Sequence, residues 1–195
     1  MGELIVHQFV SADGFAGDES GEFALFDDTS PNATFQLDQE TLERLKGVDT
    51  ILLGANTYRM FAAFWPTTDS DPEVLAPRIN ELPKIVVSST LEEAPWGEFE
   101  PALVLADGAA DAVRRLKADL AGDIIVWGSL TLTDTLFREG LVDVVRLVIV
   151  PRVLGRGRGV FPDGYTDAGL TLVRTGSYDA GLVDIEYRTD RKASI

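Results

Sequence analysis

The stretch VWGSLTLTDTLFREG, residues 126–140, changes character in its middle. Val126 and Trp127 end the apolar run DIIVWG (123–128), which reads as a dry strand. From Ser129 onward the pattern is that of a helix closing at Gly140. Between the two stand Gly128 and Ser129. A helix that starts at such a turn presents unpaired backbone N–H groups with positive potential. A glycine there, lacking a Cβ, lets a ligand reach the backbone, so an anion can approach. The stretch reads as strand, anion-receiving turn, helix. It matches neither G-x-G-x-x-G nor a P-loop.

The same unit recurs along the chain. LIVHQFV (4–10) is a strand candidate, followed by a turn beginning SADGFAG (11–17). FQLDQETLERLKG (35–47) has helical spacing and stops at Gly47, and DTILLG (49–54) is a short apolar strand leading into the helix NTYRMFAAF (56–64). PEVLAPRINEL (72–82) is a helix pattern with Pro77 inside it, and KIVVSS (84–89) and ALVLAD (102–107) are strands. GAADAVRRLKADLAG (108–122) is a helix with Asp107 as its expected N-cap and Gly122 as its end. The tail is all strand: VDVVRLVIVP (142–151), then a hairpin turning at 179–181. Apolar strands each followed by a helix imply a parallel sheet covered on both faces. The expected class is α/β, with a mixed, mainly parallel central sheet flanked by helices and an antiparallel C-terminal hairpin. The length of 195 residues suits one domain.

Composition narrows the function. The chain has 17 basic and 32 acidic residues, a net charge of -15, which disfavours nucleic acid and anionic membrane surfaces. No apolar run approaches the roughly 20 residues of a membrane span. There is no cysteine, hence no disulfide and no thiolate chemistry, and the single histidine, His7, rules out a multi-histidine metal site. No metal site is expected. The absence of a targeting pattern points to the cytoplasm.

In open α/β sheets ligands bind beyond the carboxyl ends of the strands. Three strand exits answer to that rule. At the first, Gly54, Asn56 and Thr57 either cap a helix or receive a phosphate. At the second, Ser88, Ser89 and Thr90 either cap a turn or hydrogen-bond a ribose or phosphate. At the third, Gly128, Ser129, Leu130 and Thr131 open the helix described above. A long dinucleotide would need several such exits. Asp13 is either a turn residue or a carboxylate at the mouth of the site. Phe15, Trp65 and Trp127 are either core or flat walls for a ligand. Arg152, Arg156 and Arg158 lie among glycines in VPRVLGRGRGVF (150–161), as a solvated turn or as a clamp on an anionic substrate group or partner subunit.

In this order, SADGFAG, LLGANTYRMFAAFWP, KIVVSSTL and DIIVWGSLTLTDTLFREGLVDVVRLVIVPRVLGRGRGVFP together resemble the dihydrofolate reductase-like superfamily. The likeness is greatest to the C-terminal reductase domain of the riboflavin-biosynthesis deaminase/reductase (RibD) and its stand-alone relatives. It runs from about residue 3 to 163. The resemblance implies reduction dependent on NADPH, with NADH as the alternative. The cofactor would be held at Gly54 to Thr57. Its adenosine ribose and 2′-phosphate would lie at Ser88 to Thr90, and its pyrophosphate at Gly128 to Thr131. It also implies a homodimer.

Departures limit the substrate. Ser129 replaces the second glycine common in dihydrofolate reductases. Ser89 stands where a basic residue often grips the 2′-phosphate. Those enzymes place an acid on the first long helix, where Asp38 and Glu40 are nearby here. Trp127 replaces the glutamate that faces the pyrimidine in riboflavin reductases. Neither the riboflavin step nor folate reduction is assigned to this chain. The reading is an NAD(P)H-dependent reductase of a small heterocyclic (pterin- or pyrimidine-like) or carbonyl substrate. Asp13 is its candidate catalytic polar group, His7 a conceivable proton relay. The competing readings are a non-catalytic nucleotide- or pterin-binding dimer and a protein that sequesters an antifolate-like compound.

Overall fold

β1 (Leu4–Ser11) is buried along almost its whole length because parallel strands flank it on both sides. A computed structural model describes residues 2–18, 34–106, 108–166 and 169–190. The neighbours of β1 are β6 (Asp123–Trp127) and β7 (Val144–Val150). Beyond β6 come β3 (Val48–Gly54), β4 (Lys84–Val87) and β5 (Leu103–Leu105), all parallel. Beyond β7 lie β10 (Val183–Asp190) and β9 (Gly169–Ser177), both joined antiparallel. The resulting eight-stranded order is β5-β4-β3-β6-β1-β7-β10-β9. A two-stranded ribbon pairs β2 (Phe15–Gly17) with β8 (Arg158–Gly159).

Alternate residues of β1 enter different cores, as the period of two in a strand requires. Leu4, Val6 and Val10 pack with Leu52, Val126 and Val145 beneath α4 (Ala109–Asp119) and α5 (Leu130–Arg138), which contribute Val113, Leu136 and Phe137. Ile5 faces the opposite layer with Ile51, Leu53 and Ile125. There α2 (Ala55–Ala62) and α3 (Ala76–Glu81) contribute Tyr58 and Ile79. α1 (Phe35–Arg44) covers the same face through Leu37, which meets Val148, Val150 and Phe9.

Several element ends differ from the pattern read in the sequence. α3 begins only at Ala76, with Pro77 in its first turn, where a missing N–H costs nothing. α1 does run on to Gly47 through a 3-10 turn. α4 instead stops at Asp119, and Gly122 donates its N–H to the Asp49 carboxylate at 2.6 Å. Asp107, the expected cap, lies outside the described residues. The hairpin turn falls at Asp179–Gly181, as expected.

Lys84 is a buried cation at the start of β4, 4% exposed. Its ammonium donates to the Asn80 carbonyl at 2.6 Å and lies 4.6 Å from the centre of the Trp96 ring. Burial lowers its pKa to about 8. An unfolded lysine titrates near 10.4, so between those values the unfolded chain binds more protons and stability rises with pH. Lys84→Met should therefore be at least as stable as the parent at about pH 7 and lose that advantage above about pH 9. Urea midpoints at both pH values check this.

Candidate active site at the carboxyl ends of the strands

The three exits singled out in the sequence belong to β4, β3 and β6, which are adjacent and parallel. Neighbouring strands lie about 4.8 Å apart, so their ends form one continuous rim. β1 is next in the order and brings Ser11 and Asp13 to the same side.

The β3 and β6 exits are tied together. The Ser129 hydroxyl accepts the Gly54 N–H at 2.7 Å and donates to Thr57 Oγ1 at 2.8 Å. It can do so because Gly128 and Ser129 both adopt left-handed backbone, φ +57° and +61°. A Cβ on Gly128 would stand 3.2 Å from Thr57 Oγ1. Glycine there thus admits both the backbone turn and the Thr57 side chain. Ser129 is the N-cap of α5 and Gly54 that of α2, yet neither helix has a side-chain cap. Asn56 accepts from Arg59 instead, at 3.0 Å. The first-turn N–H groups of both helices, those of Leu130 and Thr131 among them, are left without side-chain caps at the rim.

At the β4 exit Ser88 is a turn residue. Its hydroxyl accepts the N–H groups of Thr90 and Leu91 at 3.2 and 3.1 Å. Ser89 and Thr90 are exposed.

Aromatic rings run from β1 under the rim. His7 meets Phe9 and Trp127 edge-on, each at 5.8 Å. Trp127 lies 6.1 Å from Phe61, and Phe61 lies 6.0 Å from Trp65. Trp127 is buried in the core and Trp65 half-buried, so the structure joins these two through Phe61. Phe15 stands apart from that row, in the β2–β8 ribbon opposite Gly159. Burial, and then the charges of Arg146 and Arg44, lower the His7 pKa to about 3. Held neutral by burial, this imidazole is a weak base, and its surroundings are those of a packed core residue.

Asp13 sits at the mouth, but both carboxylate oxygens are engaged. Oδ1 accepts from the Ser11 hydroxyl at 2.6 Å and from the Leu154 N–H at 3.1 Å, and Oδ2 accepts the Gly155 N–H at 2.7 Å. The Ser11 hydrogen bond leads in lowering its pKa, so it is an ionised anchor. The acid with the opposite tendency is Asp38, in the first turn of α1. Leu37 beside it packs on Phe9 and Val150 at the strand ends, whereas Leu45 packs with Ile5 and Val48. α1 therefore points its N-terminus at the rim. Burial, with the Glu73 charge adding to it, raises the Asp38 pKa to about 6. In the sequence Asp38 stands only as one of two acids, with Glu40, near the position where related enzymes carry theirs; the signal that separates it from Glu40 is burial, which only the fold reveals. Among the described residues no cluster of three or more metal-ligating side chains occurs, and no helix is long and apolar enough to cross a membrane.

The Ser129 bridge has a measurable consequence. Ser129→Ala loses the acceptor for the Gly54 N–H and keeps the left-handed strain, costing about 1–2 kcal/mol. Ser129→Gly loses the same bond but relieves the strain, so it should be the more stable of the two variants. Urea unfolding of both checks the order.

Comparisons with known proteins bear on the fold and the family. The family model for the RibD C-terminal domain matches residues 3–183. The uncharacterized protein YyaP of Bacillus subtilis (strain 168) is 30% identical over 189 residues, covering 94% of this chain and 93% of YyaP. Among solved structures, a putative riboflavin biosynthesis protein from Shewanella sp. PV-4 superposes with TM-score 0.74 at 22% identity, covering 97% of this chain and 99% of that one. Dihydrofolate reductase from Enterococcus faecalis, complexed with NADP(H) and RAB-propyl, superposes with TM-score 0.61 at 15% identity over 97% of each chain. The fold is thus the reductase-type, dihydrofolate reductase-like one, and the chain belongs to the RibD C-terminal domain family.

Proposed function

We propose that this protein is a nicotinamide-dependent reductase whose cofactor, NADPH or NADH, lies across the ends of β4, β3 and β6. The observation that carries this reading is the pair of adjacent helix starts, α2 and α5, left without side-chain caps and fixed to each other by Ser129. Open N–H groups of this kind suit a diphosphate. Gly54, Thr57, Gly128, Ser129, Leu130 and Thr131 would hold it. Ser88, Ser89 and Thr90 would lie by the adenosine ribose, and hydroxyls rather than a cation there support only a weak preference for NADPH over NADH. When bound, the cofactor supplies the hydride.

The chain's own residues orient and exclude water. The aromatic row Trp127–Phe61–Trp65 supports a flat, uncharged heterocycle or carbonyl compound as the substrate. Asp38 holds a proton up to about pH 6 and is the group to pass it to the reduced substrate. Asp13 keeps its neighbouring loop in place. A homodimer in the cytoplasm belongs to the same proposal, on the family resemblance; the edge strand β9, with Leu172 and Val173 exposed, is a surface that supports it.

Titration with NADPH and NADH, followed by nicotinamide fluorescence, tests the reading. Micromolar binding of either is expected, and Gly128→Val should abolish it, since valine meets both the left-handed φ and Thr57. No binding to the parent protein would overturn the proposal. With an accepted substrate, turnover should fall as pH rises through about 6, because the protonated carboxyl is the active form. Asp38→Asn should lower turnover about a hundredfold and flatten that profile. An unchanged profile in the variant would remove Asp38 from the mechanism.

A further inference from the structure

The glycine-rich stretch GRGRG (155–159) has no task in the reading so far. The structure holds it firmly in place. The Ala12 N–H donates to the Arg152 carbonyl at 2.7 Å. Asp13 takes the N–H groups of Leu154 and Gly155. Gly157, at φ +151°, passes so close to the Gly17 carbonyl that a Cβ would collide with it. Arg158 then pairs with Gly17 in the β2–β8 ribbon.

The outcome of this anchoring is the position of one guanidinium. Arg158 Nη1 donates to Thr131 Oγ1 at 3.2 Å, and Nη2 donates to Asp134 Oδ2 at 3.3 Å. Both residues belong to the first half of α5, next to its uncapped start. These bonds are long for charge-assisted ones, which run about 2.7–2.9 Å. The Arg158 side chain also remains 39% exposed. It is thus a loosely held cation with donors to spare, delivered to a helix start by a tightly held loop.

We infer that Arg158 contacts the diphosphate of the nicotinamide cofactor, that Asp134 holds its guanidinium until the phosphate displaces it, and that Asp13 is the positioning residue that fixes the loop. This rests on the cofactor reading above. A guanidinium matches phosphate oxygens in bidentate geometry and exchanges a partial contact with one carboxylate for a fuller one. Asp134 repels the same phosphate, so the two partners of one ion pair act on cofactor affinity with opposite signs. An arginine that merely tied β8 to α5 would give both partners the same sign.

The test is calorimetric titration of NADPH, and of inorganic pyrophosphate, into the parent protein, Arg158→Gln, Asp134→Asn, Asp13→Asn and the Asp13→Asn/Arg158→Gln double variant. Arg158→Gln should weaken both ligands about tenfold, and Asp134→Asn should tighten them by roughly twofold or more. Asp13→Asn should weaken binding several-fold by itself and add little in the double variant, because it acts through Arg158. Parent-like NADPH affinity in Arg158→Gln overturns the inference and leaves the reductase reading intact; so does a loss of affinity in Asp134→Asn. If Arg158→Gln spares NADPH but raises KM for an anionic substrate, the arginine serves substrate and the inference fails. If the parent protein binds neither probe, the cofactor reading and this inference fall together.

Discussion

Parallel pairing fixes where chemistry can occur in this molecule. Six strands, β5 to β7 in spatial order, share one direction, so their carboxyl ends all open on one side. Most crossovers return the chain through a helix, the β4-to-β5 connection being irregular, and helices that follow strands start at that same side. Gly54, Ser88, Gly128 and Asp13, far apart in the chain, therefore converge on one rim. The antiparallel strands β10 and β9 add no further exits there; they extend the sheet under α1. Their contribution is electrostatic. Arg146 pairs with Glu186 at 2.5 Å and Arg44 with Asp184 at 2.9 Å, and those two arginines help to keep His7 neutral.

Local charge and global charge point in opposite directions here. A chain of net charge -15 is a poor general binder of anions. At the rim the positive potential comes instead from backbone N–H groups and from Arg158, which act over a few ångströms and are little affected by distant carboxylates in salt. Ser129 makes this arrangement specific. Its hydroxyl, which could have capped α5, spans the gap to β3 instead. One side chain thereby leaves α5 uncapped and sets the spacing between the two helix starts. The left-handed serine is the cost of that choice, of order 1 kcal/mol.

Much of this was legible in the sequence because hydrophobic period and turn chemistry are local. The strands DIIVWG and DTILLG, the helix ending at Gly140 and the hairpin at 179–181 all follow from neighbours along the chain. Strand ends shifted by one or two residues: β1 and β3 are each one residue longer than their apolar runs, whereas β4 stops two residues before Ser89, since small hydroxyl residues such as Ser88 and Ser89 look strand-compatible until their turn is seen. What the sequence hid is non-local. The distant partners of Asp13 lie at Leu154 and Gly155, so a carboxylate that the sequence leaves open between a turn and the mouth of the site anchors a loop at that mouth. The raised pKa of Asp38 comes from burial and from Glu73, neither visible in the string FQLDQETLERL. Trp127, open to either reading, is buried in the core and still borders the row of rings leading to Trp65.

The central claim is that a nicotinamide cofactor engages the starts of α2 and α5 together. The most direct measurement is the set of backbone amide resonances of isotope-labelled protein, recorded with and without saturating NADPH. The account predicts that the amides of Asn56, Thr57, Leu130 and Thr131 shift together as the cofactor is added. Those of α4, on the covered face, should stay in place. Binding that leaves these four amides unmoved, or that shifts only one of the two helix starts, would contradict it.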